Sequence, residues 1–167
     1  MRLIFLAIFF FASGTSHALN ELCEKGESTY FSCNIGKKIV SLCASKGLSP
    51  TSGYLQYRFG TIKNIEFNYP AQKAHPNGIF FHSGAVYSGG VDTRLSFSNG
   101  AYKYVVYSTL TALGAQTWEH VTESGVAILK NGNLIKDMSC IKPDDFRTAY
   151  PEGIFQREEY EDLFSAK

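Results

Sequence analysis

Short runs in which apolar and polar residues alternate recur along most of the chain. In Tyr54 to Phe59, Leu55, Tyr57 and Phe59 take one side and Tyr54, Gln56 and Arg58 the other, the period of a half-buried strand. Ile62 to Tyr69 repeats the pattern with Ile65 and Phe67 on one face, and Pro70 closes it. Tyr30 to Cys33 and Ile39 to Cys43 predict a hairpin turning near Ile35-Gly36. Asn99-Gly100 lies between Thr93 to Phe97 and Tyr102 to Ser108, and Asn131-Gly132 between Val126 to Lys130 and Leu134 to Cys140. Asn-Gly between such runs is a strong hairpin signal. Gln116 to Val121 adds a strand, Thr109 to Ala115 a looser connection, and Ala71 to Gly78 a loop before Ile79 to Phe81. The pattern predicts an all-β domain of nine or ten short antiparallel strands in a meander, a small barrel or sandwich.

The pattern changes after Cys140. Pro143-Asp144-Asp145-Phe146 has the proline and acids of a helix start. Glu158 to Phe164 places Tyr160, Leu163 and Phe164 on one side of a second short helix. Residues 143–167 are therefore expected to be a short helical C-terminal tail on a domain spanning 19–142. The charge follows the same division: 12 Lys/Arg against 8 Asp/Glu in 19–142, and 3 against 7 in the tail. A mildly basic body with an acidic tail argues against nucleic acid as a partner.

Residues 1–18 have the features of an export signal. Arg2 is followed by the apolar run Leu3 to Ala12, and Ser16-His17-Ala18 supplies small residues for cleavage after Ala18. The run is about half of the ~20 residues a membrane-crossing helix needs, so no stable membrane anchor is expected. Glu21-Leu22 ahead of Cys23 argues against a lipoprotein. The protein is expected to be periplasmic or secreted.

All four cysteines, Cys23, Cys33, Cys43 and Cys140, follow the signal, and an even number in an oxidising compartment favours two disulfides. In the first hairpin Cys33 faces about Lys38 or Ile39 and Cys43 faces Ser28 or Thr29. They are too far out of register for the ~7 Å Cα separation a bridge requires. Either Cys33 or Cys43 then reaches Cys140. No Cys-x-x-Cys pair exists, so no metal site is expected.

The stretch Phe81-His82-Ser83-Gly84-Ala85-Val86-Tyr87-Ser88-Gly89-Gly90 stands out for small, hydroxylated and glycine residues around one tyrosine. It reads as a shaped loop between two strands, with Ser83, Tyr87 and Ser88 as polar tools. His82 beside Ser83 invites a nucleophile–base reading, but strand neighbours point to opposite faces, and no Gly-x-Ser-x-Gly elbow is present. His75 and His120 have no metal-ligand spacing, and Glu66, Asp92, Glu119 and Asp137 form no carboxylate motif. The chain is expected to be no enzyme and to need no cofactor.

With its export signal, cysteines and Ser83-Gly84-x-x-Tyr87 core, the sequence resembles the bacterial periplasmic lysozyme inhibitors, those of c-type and i-type lysozymes. Phe31-Ser32-Cys33 resembles the family's early aromatic-x-Cys strand, and Gly132 to Cys140 its terminal strand ending in cysteine. The resemblance implies a Cys33–Cys140 bridge, leaving Cys23 with Cys43. It also implies a lysozyme as partner, bound by a rigid loop that brings the Ser83 hydroxyl and backbone N–H groups to the catalytic carboxyls, with Tyr87 holding the loop's shape. Gly84 and Ser88 belong to that contact loop. A second contact motif of the c-type inhibitors, a Thr-Lys-Gly turn, has its nearest match at Phe97-Ser98-Asn99-Gly100, with Lys103 nearby, so Asn99 and Lys103 complete the candidate contact set. The alternative expectation is an exported structural or interaction domain with the inhibitor fold and no inhibitory activity.

Overall fold

The computed structural model describes residues 21–114, 119–143, 146, 152–161 and 163. The export signal expected over 1–18, the first part of the Gln116 strand and much of the tail lie outside these residues. Ten strands are present: β1 (Glu27–Ile35), β2 (Lys38–Ser45), β3 (Leu55–Thr61), β4 (Asn64–Ala74), β5 (Phe81–Tyr87), β6 (Gly90–Asn99), β7 (Tyr102–Ala112), β8 (His120–Lys130), β9 (Asn133–Ser139) and β10 (Gln156–Arg157). They form two sheets, one of order β1-β2-β3-β4 and one of order β10-β5-β6-β7-β8-β9. Every pairing is antiparallel except β10 with β5. The fold is all-β and mostly meander, as the alternation predicts. Neither sheet closes into a barrel, so of the two expected architectures the sandwich is the one present.

The sheets meet through their period-two apolar faces. Val40, Leu42, Leu55 and Tyr57 from the first sheet share one cluster with Leu95, Phe97, Val106 and Val126 from the second. Phe97 is the hub: its ring centroid lies 5.0 Å from Tyr57 and 4.5 Å from Tyr69 across the core, and 4.9 Å from Tyr104 within its own sheet. Each aromatic pair adds roughly 0.5–1.5 kcal/mol beyond the area it buries. Alternation that looked local in the sequence therefore fixes which faces of two sheets can meet.

Two disulfides tie the sandwich, Cys23–Cys43 and Cys33–Cys140, with Cα separations of 5.2 and 5.6 Å. In the β1–β2 ladder Cys43 stands opposite Thr29 as expected, while Cys33 stands opposite Val40 rather than Lys38 or Ile39, and the two cysteines are out of register. Cys33–Cys140 fastens β1 of the first sheet to the end of β9 in the second. Two bridges are what an oxidising, extracytoplasmic compartment permits. Among the described residues no helix is long and apolar enough to cross a membrane.

The outer face of the first sheet is covered by the segment before β1. There the Arg58 guanidinium donates to both Glu27 carboxylate oxygens at 2.7 and 2.8 Å, and both side chains are 3–4% exposed. Burial alone would raise the Glu27 carboxyl. Hydrogen bonds from Arg58, the Glu24 backbone, Tyr54 and Lys73 outweigh it and hold the group at about 2.

Several expectations are corrected. Pro70 does not end its strand: β4 continues to Ala74 at a sheet edge, where a missing N–H breaks no ladder. The Asn-Gly turn after β6 sits one residue late. Asn99 pairs with Tyr102, leaving Gly100 (φ +61°) and Ala101 as the turn. The helical tail is not seen either, since no described residue after 140 is helical. Instead Phe146 packs against Phe31 at 5.3 Å and Ile154 is fully buried in the shared core. Gln156 and Arg157 then pair with Phe81 and His82. A helix over 158–161 would stack Glu158 against Glu161, like charges at i, i+3. The extended chain instead sends Glu158 and Tyr160 to one side, where a cation waits for each.

Candidate functional site

The stretch from Phe81 to Gly90 is not a shaped loop. Residues 81–87 are β5, and Tyr87 pairs directly with Gly90, leaving Ser88 and Gly89 (φ +84°) as a two-residue turn. The glycines serve close approach. A Cβ at Gly84 would lie 2.6 Å from the Asp92 carbonyl oxygen, so any side chain there would push β5 off β6. The Tyr87 ring lies over Gly90, in the space a Cβ would need, and its hydroxyl is 3.5 Å from Thr111 Oγ1 on β7. Tyr87 thus braces the hairpin. Beside it Val86 is 88% exposed, and Ser88 and Gly89 are also open to solvent.

The base of the hairpin is covered. Ser83 is buried on the outer face of the second sheet, opposite Arg94 in the β5–β6 ladder. Over it runs the strap formed by β10 and the residues after it. Glu158 accepts from Ser96 Oγ at 2.6 Å and from Lys103 Nζ at 2.9 Å. The Tyr160 ring lies against the Arg94 guanidinium, 4.3 Å from its centroid, and its hydroxyl donates to Asp92 at 2.8 Å while accepting from Arg94 Nη2 at 2.9 Å. Arg94 also donates to the Glu161 carbonyl. Asp92 and Arg94 are themselves a buried pair, with 2.7 Å between Nη2 and Oδ2. Leu163 ends the described strap on an apolar patch of Val105, Tyr107, Ala127 and Leu129.

Two cavities flank the strap. One of about 290 Å³ lies between the hairpin flank, at Gly84, Val86 and Thr93, and the strap residues Arg157 and Tyr160. The other, about 550 Å³, is polar and is walled by Asp92, Arg94, Tyr107, Glu123, Asp137 and Tyr160. In it the Tyr107 hydroxyl donates to Asp137 at 2.9 Å, and burial first, then that hydrogen bond, pushes the phenol well above its ordinary range. His82 and Ser83 are successive residues of β5 and leave opposite faces of the strand, so they do not form a nucleophile–base pair. Burial, and next the Arg157 charge, lower the His82 pKa. Cys23, Glu27 and Cys43 are close enough to share an ion, but both sulfurs are spent in a disulfide.

The residues expected to form one contact surface are therefore separated. Tyr87 and Ser88 stand at one end of β6 and Asn99 at the other, about 30 Å away for nine steps of extended chain. Lys103, the second residue of β7, lies beside Asn99 at that same end, but its side chain is tied to Glu158 of the strap. Gly84 is exposed in mid-strand, and Ser83 is beneath the strap. The partners that matter most there, Asp92, Arg94, Glu158 and Tyr160, were not among the expected contacts. Their signal was the polar alternation Asp92, Arg94, Ser96 against Leu95 and Phe97, matched by Glu158 and Tyr160 in the tail. No family model, curated protein or solved structure matches the chain.

Proposed function

We propose that the protein is an exported, non-catalytic binding protein that inhibits a lysozyme-type muramidase by placing the β5–β6 turn in its cleft, in the periplasm or outside the cell. The observation that carries this reading is the hairpin tip. Val86, 88% exposed, and Tyr87, 43% exposed, end β5 at a two-residue turn that Tyr87 itself braces and that Ala112 of β7 flanks. An exposed turn ordered before contact loses little entropy on binding. The Ser88 hydroxyl and the N–H groups of the turn supply donors for a cleft that carries catalytic carboxyls. They take the part that the resemblance gave to Ser83, which the strap covers. The Ser83-Gly84-x-x-Tyr87 motif and the two cysteine pairings, which follow those implied by the inhibitor family, support the same reading.

The test is residual activity of c-, g- and i-type lysozymes titrated with the protein and its variants. Val86→Asp brings a carboxylate against the cleft's own and is expected to weaken inhibition by about tenfold or more, whereas Ser83→Ala changes it by less than about twofold. No inhibition of any lysozyme, or inhibition indifferent to Val86→Asp, contradicts the proposal. The burial of Ser83 and the pairing of Lys103 favour a second reading, an exported interaction domain without inhibitory activity, and the first of those outcomes would leave it standing.

A further inference from the structure

We infer that the outer face of the β5–β9 sheet is a docking groove for an extended acidic–aromatic segment of a partner protein, which residues 156–161 and Leu163 of the chain itself occupy in cis. This surface is distinct from the hairpin tip. Its edge accepts an added strand: Gln156 and Arg157 pair in parallel with Phe81 and His82, and the Glu158 N–H donates to the His82 carbonyl at 3.0 Å. Main-chain pairing of this kind gives an edge affinity for extended peptide whatever its sequence.

Selectivity comes from alternate side chains. Ser96 and Lys103 take the Glu158 carboxylate. Two positions on, Arg94 offers its guanidinium face to the Tyr160 ring while Asp92 accepts the phenolic hydroxyl. Three further on, Leu163 meets the patch around Val105 and Leu129. The groove therefore fits a carboxylate, a tyrosine at +2 and an aliphatic residue at +5. A buried Arg–Asp pair left without that tyrosine loses a partner on both sides, so the site favours a hydroxylated ring over a plain one.

The strap is built to leave. Its anchor is Ile154, fully buried in the core, and Phe155 packs there too. Beyond them the strap is held mainly by polar contacts, with Lys103 33% and Glu158 20% exposed. Those contacts exchange for water without opening the sandwich. While attached, the strap meets its groove at an effective concentration of about millimolar, so a partner segment must outcompete it or meet a weakened strap.

The experiment uses the full chain carrying Glu158→Ala and Tyr160→Ala, which leaves Ile154 and Phe155 in place, and a fluorescein-labelled peptide with the sequence of residues 155–163. Fluorescence anisotropy is expected to show saturable binding to this variant and binding at least about tenfold weaker to the unaltered chain, whose own strap competes. Adding Lys103→Glu to the variant should abolish binding, and a peptide with Glu158→Lys should recover it. The full chain with Glu158→Lys, whose strap Lys103 repels, serves as a second receptor with the same expectation. No saturable binding to either receptor, or binding indifferent to Lys103→Glu, overturns the inference.

Discussion

Replacing Cys33 and Cys140 together by alanine is expected to lower the stability of the protein by about 5 kcal/mol, a drop of about 2–3 M in the urea midpoint. The cysteines are 107 residues apart, so their bridge closes most of the folded chain into one loop and removes a large share of the unfolded chain's freedom. It also joins the two sheets directly, β1 to the end of β9, beside a backbone hydrogen bond from Ile141 N–H to the Asn34 carbonyl at 2.9 Å. Cys23 and Cys43 are 20 residues apart, and the same relation gives that bridge about 3 kcal/mol. The double replacement at Cys33 and Cys140 should therefore cost more than that at Cys23 and Cys43. A loss below about 1 kcal/mol for Cys33 and Cys140 would mean that the core holds the sheets together unaided.

Glu27→Gln is expected to cost about 3–5 kcal/mol at neutral pH, because it leaves the buried Arg58 guanidinium with only the exposed Glu24, 3.5 Å away, as counter-charge. The same group governs the acid limb of stability. Its folded pKa, about 2, lies below the ordinary 4.5, so the contribution is complete above about pH 4.5 and is lost as pH falls toward 2. The difference corresponds to about 3 kcal/mol, to be read as the fall in urea-unfolding free energy between pH 7 and pH 2. Glu27→Gln removes the titrating carboxyl, so the gap between the two proteins should narrow over that interval. Glu24→Ala is the control, since Glu24 is 63% exposed and its pairs with Arg58 and Lys73 are worth little. A wild-type stability flat from pH 7 to pH 2 would contradict this account of Glu27.

The fold was legible where side-chain alternation is strict. Leu55, Tyr57 and Phe59 marked an inward face, and Cys33 and Cys43 marked two separate registers, because strand geometry leaves period two no freedom. Turns were legible only to within a residue. Asn131-Gly132 forms the turn its sequence announces, whereas Asn99 stays in β6 and Gly100-Ala101 turns instead. The shifted turn sets Phe97 opposite Tyr104, with ring centroids 4.9 Å apart, where an Asn99-Gly100 turn would set it opposite Tyr102. The tail reads as a helix in sequence because Tyr160 and Leu163, three residues apart, share one face of a helix, whereas Glu158 and Tyr160 share one side only of an extended chain. What settles the matter lies far away in sequence, in Arg94 and Lys103, and no local pattern carries it.

The candidate site was half legible for the same reason. Glycines and a tyrosine between apolar runs located a hairpin, but residues 81–87 of it are strand rather than a shaped loop. They could not tell that Tyr87 lies on Gly90, that Gly84 serves strand contact, or that the base at Ser83 has a cover 75 residues further along the chain at Glu158. The separation of Asn99 from Tyr87 follows from β6 running straight between them, which becomes visible only once the strand's length is known.

The most direct test of the hairpin as the contact element is amide hydrogen exchange of the protein alone and in complex with each lysozyme of the panel. With any lysozyme that it inhibits, slowed exchange should be confined to the tip, at Val86 to Gly89 and the adjoining Ala112, with no change at Gly100-Ala101 on the far end of β6. No complex with any of them, or protection that leaves Val86 to Gly89 untouched, would contradict the account.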